Sequence, residues 1–302
     1  MTVPHLLSTN DLSVEDIIVL LDDAASFVTS DGLRAKRSLE LGGKRLVLAF
    51  FEPSTRTRLS FETAADRLGA SSIFFQTSGS SVEKGETMRE TIMTIQAMGF
   101  DAIILRHATN GIHAEIASYS KMSVINAGEG SAQHPTQALL DASALRERFG
   151  SIEGKRVAIV GDLRHSRVAR STADVLLRLG AEVAFCAPDA LAPQDHQFSL
   201  MTRFPSLDEV LPWADVVYLL RIQRERISDD SIIDPLDYRR KYAFTIEHAN
   251  SNPNVVIMHP GPVGVGVEID EAVLDLNQCL IHRQVTHGVA MRMAVLRKLL
   301  NH

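Results

Sequence analysis

The sequence predicts an α/β chain of two domains, each a parallel sheet flanked by helices. Three observations carry that prediction. Short apolar runs of strand length recur along the chain, of which 45–51 is the clearest, and they suit strands buried on both faces. Segments with apolar residues at i, i+3, i+4 and i+7 alternate with them, as in strand-helix-strand units. At 302 residues, 45% hydrophobic and 23% charged, the chain has the length of two ordinary domains and a globular composition.

Composition also excludes several functions. A formal charge of −6 and a pI near 6.0 do not fit a protein that wraps nucleic acid, which rewards a basic face, so any anion site must be local. Cys186 and Cys279 build no disulfide framework and stand in no zinc-type spacing, so neither a metal nor another cofactor is expected. The N-terminus lacks a basic stretch followed by an apolar one, and no run approaches a membrane span. The expectation is a cytoplasmic protein with no nucleic-acid or membrane partner.

Taken in order, residues 10–28 carry a helical pattern through Ile17, Leu20, Leu21, Ala24 and Phe27, with Asn10 or Ser13 as caps. The run 45–51 is a strand. Phe61, Ala64, Ala65 and Leu68 mark the following helix, which Gly69 ends. Between them, Ser54-Thr55-Arg56-Thr57-Arg58 lies at a strand-to-helix turn, where free N–H groups and the helix dipole favour an anion. Hydroxyls and guanidiniums add charge-assisted bonds, and phosphate fits the set. A second strand, 72–75, makes the sheet parallel, and the polar loop 78–86 leads to a helix through Met88, Ile92 and Ile95. Strand 101–105 delivers Arg106 at its C-terminal end, where ligands of open sheets collect. Strand 124–128 follows, and His134-Pro135-Thr136-Gln137 opens the helix 138–149 with proline where its missing N–H costs nothing.

After a linker at 150–154, strand 155–160, a turn at 163–167 and a helix ended by Gly180 begin a second unit. The two units are thus Rossmann-like in build. The second lacks the G-x-G-x-x-G glycines, which argues against dinucleotide binding. Strands 181–186 and 215–220 continue it, and the latter ends in Arg221-Ile222-Gln223-Arg224-Glu225-Arg226. Residues 227–254 read as polar and irregular, a flexible lid. Strand 255–258 runs into His259-Pro260-Gly261-Pro262-Val263, and a last helix spans Val285, Val289, Met293, Leu296 and Leu300.

The string Phe-x-Glu-Pro-Ser-Thr-Arg-Thr-Arg-x-Ser-Phe resembles the carbamoyl-phosphate motif of the transcarbamoylases, and among them that of the aspartate carbamoyltransferase catalytic chains. His-Pro-Thr-Gln resembles their second signature, and the likeness runs on through Leu-Arg-Ile-Gln-x-Glu-Arg and Met-His-Pro-Gly-Pro-Val. The resemblance implies a carbamoyl-phosphate domain over 1–134 with the helix 285–302 packed back on it, a connecting helix at 135–149, an aspartate domain over 150–284, and an active site at the cleft between them. It implies that Ser54, Thr55, Arg56 and Thr57 hold the phosphate. Thr57, Arg106 and His134 would stabilise the oxyanion, and Gln137 would orient the carbamoyl amino group. Gly261 and Pro262 would join the carbamoyl-phosphate site, as would Ser80 and Lys84, reaching in from a neighbouring subunit. The register leaves the serine open between Ser80 and Ser81. Arg167, Arg221, Gln223 and Lys84 would bind aspartate, while Glu52 would pair with Arg167 and Arg226 on domain closure.

The implied reaction is transfer of a carbamoyl group from carbamoyl phosphate to L-aspartate, the committed step of pyrimidine biosynthesis, by a homotrimer with shared active sites. A larger assembly with regulatory or dihydroorotase chains is left open. Aspartate is favoured over ornithine because ornithine enzymes carry His-Pro-Cys-Gln and His-Cys-Leu-Pro, and two acceptor arginines would repel an ammonium. The alternatives are a carbamoyltransferase with another amine acceptor and a catalytically silent structural partner; the latter is expected to lose Arg56, His134 or Arg167, all of which are present. The one departure is Gly264-Val265-Gly266, where the family often has Asn-Arg-Gly.

Overall fold

The computed structural model describes residues 5–34, 37–75, 85–223 and 234–301. The chain divides into two compact units, Met1–Ser143 with Val285–His302, and Ala144–Gln284.

The first unit opens with α1 (Val14–Ala25), whose capping box joins Ser13 and Asp16 and whose buried face is Ile17, Leu20, Leu21 and Ala24. A short antiparallel pair, β1 (Val28–Thr29) and β2 (Gly32–Leu33), follows. Next come β3 (Arg45–Phe50), α2 (Thr55–Arg67), β4 (Ser71–Phe75), α3 (Met88–Ala97), β5 (Ala102–His107), α4 (Ile112–Ala117) and β6 (Ser123–Glu129). The four strands from β3 onward form a parallel sheet in the order β4-β3-β5-β6. Val47, Ala49, Ile103, Leu105 and Val124 pack from this sheet against Ile92 and Ile95 of α3 and Ile112 and Ile116 of α4. β4 is the edge: among the described residues it pairs with β3 alone, and it leaves Ile73 50% and Phe74 37% exposed.

α5 (Pro135–Phe149) carries the chain into the second unit. There β7 (Arg156–Val160), α6 (Arg167–Arg178), β8 (Glu182–Cys186), α7 (His196–Ser199), β9 (Thr202–Phe204), α8 (Leu207–Val210), β10 (Val216–Leu219), α9 (Pro235–Tyr242), α10 (Ile246–Ser251) and β11 (Val256–Met258) follow in turn. Their sheet is also parallel, in the order β11-β10-β7-β8-β9. α11 (Ile281–Leu300) ends the fold, its residues from Val285 belonging to the first unit.

The predicted α/β class with parallel sheets is what forms. The irregular polar segment expected over 227–254 is corrected where it is described. Asp234 accepts from the Leu236 N–H and caps α9, which has proline at its start, and Thr245 and His248 close a capping box on α10. Tyr238 and Tyr242 supply α9 with a buried face one turn apart, which its otherwise charged composition conceals. Among the described residues, no helix is long and apolar enough to cross a membrane.

Candidate active site

In each parallel sheet the chain order reverses direction once, and the crevice at that reversal is where ligands of open α/β sheets bind. The first unit switches between β3 and β5, and the second between β7 and β10. Ser54 to Thr57 and Arg106 lie at the first of these points, and Arg167, Arg221 and Gln223 at the second, while His134 and Gln137 follow β6 and Gly261 and Pro262 follow β11.

In the first unit, β3 ends opposite β5 with Phe50 in register with Arg106, and the Phe51 N–H donates to the Arg106 carbonyl at 2.9 Å. The chain then turns through Glu52, Pro53 and Ser54 into α2. Ser54 is the extended N-cap residue, and its hydroxyl makes no capping bond. The α2 amino end has Thr55 and Arg56 exposed and Thr57 buried, and free N–H groups, hydroxyls and a guanidinium at a helix start suit an anion. Arg106 is half-buried; it donates through Nη1 to the Ala127 carbonyl at 3.1 Å and lies 3.7 Å from the Glu52 carboxylate. The loop that follows its strand is anchored by Glu129, which accepts from the Gly111 N–H at 2.6 Å and sits 3.4 Å from His113 Nδ1.

His134 and Gln137, both buried, stand at the start of α5, where the Gln137 N–H bonds back to the His134 carbonyl. The side-chain Nε2 of Gln137 donates to Asp141 Oδ1 at 2.9 Å. Arg292 of α11 ties this start to α2: Nη2 reaches Thr136 Oγ1 at 3.4 Å, and the guanidinium lies 5.0 Å from the Phe61 ring centre. Burial lowers the Arg292 guanidinium to about 9, with the charge of Asp141 acting the other way.

In the second unit, Asp162 organises the switch point. Fully buried, it accepts through Oδ1 from the His165 N–H at 3.2 Å, contacts His165 Nδ1 at 2.9 Å, and accepts through Oδ2 from the Gln223 N–H at 3.1 Å. Gln223 Nε2 in turn donates to the His165 carbonyl at 3.0 Å. Gly161, at φ +121°, permits this closeness, since a Cβ there would stand 2.6 Å from the Leu220 carbonyl. Ser166 caps α6, and Arg167, its first residue, is buried; Arg221 leaves β10 half-buried. Arg167, Arg221 and Gln223 are thus set on elements joined through one carboxylate.

Gly261 and Pro262 lie in the second unit, in the loop after β11, where the Gly261 N–H donates to His259 Nδ1 at 2.7 Å. Glu268, 1% exposed, accepts from the Gly264 N–H at 2.5 Å and contacts His259 Nε2 at 3.3 Å. Its carboxylate occupies the space a side chain at 264 would need, so the glycine that departs from the family pattern accompanies a carboxylate packed on the backbone. Ser80, Lys84 and Arg226 lie outside the described residues.

The sequence reading passed over Asp141, Asp162, Glu268 and Arg292. A faint signal existed for two: Asp141 is four residues beyond Gln137 on one helix face, and Arg292 interrupts the apolar pattern of the last helix.

The two parallel-sheet units, one with a Ser-Thr-Arg-Thr helix start and the other with Arg167 and Arg221, match a single family over nearly the whole chain. The aspartate/ornithine carbamoyltransferase carbamoyl-P binding domain matches residues 4–147 and the Asp/Orn binding domain of that family residues 153–299, so the chain belongs to this family. Its relatives include aspartate carbamoyltransferase catalytic subunits. That of Thermobifida fusca (strain YX) is 45% identical over 297 residues, covering 98% of this chain and 95% of the relative. That of Akkermansia muciniphila is 46% identical over 294 residues, covering 96% and 95%. Among solved structures, the catalytic subunit of M. jannaschii aspartate transcarbamoylase is 38% identical with a TM-score of 0.87, covering 98% of this chain and 97% of that one. Aspartate transcarbamoylase from Trypanosoma cruzi, solved with carbamoyl phosphate and aspartate, is 30% identical with a TM-score of 0.86, covering 97% and 95%.

Proposed function

We propose that this chain transfers the carbamoyl group of carbamoyl phosphate to the amine of L-aspartate, giving N-carbamoyl-L-aspartate and phosphate. One observation supports the reading: a helix start with Ser54, Thr55, Arg56 and Thr57 follows β3 at the first switch point, and Arg167, Arg221 and Gln223 follow β7 and β10 at the second, residues suited to a phosphate and to carboxylates. The family membership and the relatives' names support it.

The aspartate nitrogen attacks the carbamoyl carbon with its lone pair, a C–N bond forms, and the bond from that carbon to the phosphate oxygen breaks. Phosphate leaves with the electron pair and takes the amine proton, so no nucleophilic residue or enzymic base is needed. Ser54, Thr55, Arg56 and Thr57 hold the phosphate, and Arg106 bridges it to the carbonyl oxygen. Thr57, Arg106 and His134 stabilise the charge that develops on that oxygen. Gln137 receives the carbamoyl amino group, and Arg167, Arg221 and Gln223 take the aspartate carboxylates, a task suited to forked planar donors. Holding both anions in reacting geometry supplies much of the acceleration.

The proposal extends to the division of labour along the chain: residues 1–134 and 285–302 bind carbamoyl phosphate, and 150–284 bind aspartate. It also includes a cytoplasmic homotrimer in which Ser80 and Lys84 complete a neighbour's site, a contribution of Gly261 and Pro262 to the carbamoyl-phosphate site, and a closed state in which Glu52 pairs with Arg167 and Arg226. The test is carbamoyl transfer by the purified protein, supplied with carbamoyl phosphate and either L-aspartate or L-ornithine. The expected result is carbamoyl-aspartate and phosphate in equal amounts, with no product from ornithine; transfer to ornithine alone overturns the acceptor assignment.

A further inference from the structure

The Gln137 amide is held from one side. Its Nε2 donates to Asp141 Oδ1 at 2.9 Å, and its Oε1 accepts no hydrogen bond from the described residues. Asp141 is fully buried one turn along α5, and the charge of the buried Arg292 is near enough for the two groups to act on each other. Arg292 is itself fixed, through Nη1 to the Gly288 carbonyl at 2.9 Å and Nη2 to Thr136 at 3.4 Å. Gly288 makes room for it, since a Cβ there would approach Nη1 to 2.8 Å.

An unanchored amide exchanges its oxygen and nitrogen ends by a half-turn about its last torsion, and so offers a ligand either an acceptor or two donors. A carboxylate offers acceptors only, so Asp141 selects the rotamer with the NH₂ inward and the oxygen outward. We propose that Asp141 is a positioning residue that fixes the Gln137 oxygen toward the substrate and thereby sets the preference for a carbamoyl over an acyl group of the same shape. A carbamoyl amino group donates to that oxygen; the methyl of an acetyl group cannot. The inference rests on the reading that Gln137 receives the carbamoyl amino group.

The test compares carbamoyl phosphate, acetyl phosphate and inorganic phosphate on the purified enzyme, using the KM of the first and competitive inhibition by the other two. Asp141→Asn lets the amide turn its NH₂ outward. It is expected to weaken carbamoyl phosphate by about 10-fold while moving acetyl phosphate and phosphate by less than about 3-fold. Gln137→Met is expected to erase the same preference, and the double variant to be no worse than Gln137→Met within about 2-fold, as for two residues acting through one contact. Equal weakening of all three ligands by Asp141→Asn, or its full effect on top of Gln137→Met, overturns the positioning role. An unchanged preference in Gln137→Met overturns the reading of Gln137 itself, and the proposal with it.

Gln137→Glu keeps the inference testable if Asp141→Asn does not fold. Two facing carboxyls share one proton, so the introduced carboxyl can donate inward to Asp141 and keep an acceptor outward. This variant is expected to retain the carbamoyl preference within about 3-fold, and behaviour like Gln137→Met overturns the proposal.

Discussion

His134 is buried at the foot of α5 beside the Gln137 amide, a place suited to stabilising charge on a carbonyl oxygen that water cannot reach. Its replacement by alanine is expected to lower kcat by about 10²- to 10³-fold with a smaller change in KM for either substrate, measured by steady-state kinetics. Gly264 carries a structural prediction. Gly264→Asn drives a side chain against the buried Glu268 carboxylate, and is expected to destabilise the protein by about 1–3 kcal/mol, read from chemical denaturation. Residues of this kind differ in how far the sequence reveals them. Ser54, Arg56, His134 and Gln137 stand in contiguous strings whose local geometry, a helix start after a strand, is itself the chemistry. Asp141, Glu268 and Arg292 acquire their meaning only from partners far along the chain or from complete burial, and a charged residue in a helix otherwise reads as a solvated one.

Among the elements, most strands of the two parallel sheets were legible because a strand covered on both faces is apolar at nearly every position, as β3 and β10 show, whereas β1, β2 and β9 were not read. α9 was not, because its buried face consists of two tyrosines among charged residues. The loop after β5, the strand that ends with Arg106 and His107, depends on a titrating group. Burial acts to raise the Glu129 carboxyl, but His113 beside it and the Gly111 N–H outweigh burial and hold it below the usual carboxylate value. A carboxyl lowered in the folded state binds protons more readily when unfolded. Its stabilisation is therefore present above the unfolded value of about 4 and is lost as pH falls through the lower folded one. Thermal melts between about pH 6 and pH 3 are expected to show this loss, and Glu129→Gln is expected to flatten that part of the profile.

For the whole molecule, the alternation of strands and helices predicted two sheet-bearing units of similar build, but not the strand order. The reversals between β3 and β5 and between β7 and β10 are products of tertiary assembly. If neighbouring chains share a site, mixed oligomers of Lys84→Ala and Arg56→Ala chains are expected to regain activity that neither variant has alone, with one intact site in each trimer that contains both chains and therefore about a quarter of all sites in a one-to-one statistical mixture. Subunit exchange followed by the transfer assay measures it. The edge strand β4 bears on the same assembly from another side. Among the described residues, β4 exposes Ile73 and Phe74 on an edge that pairs with β3 alone, the pattern on which extended chains stack edge to edge. If the proposed trimer covers this edge, dilution that separates protomers is expected to bring a colloidal hazard as well as a loss of activity.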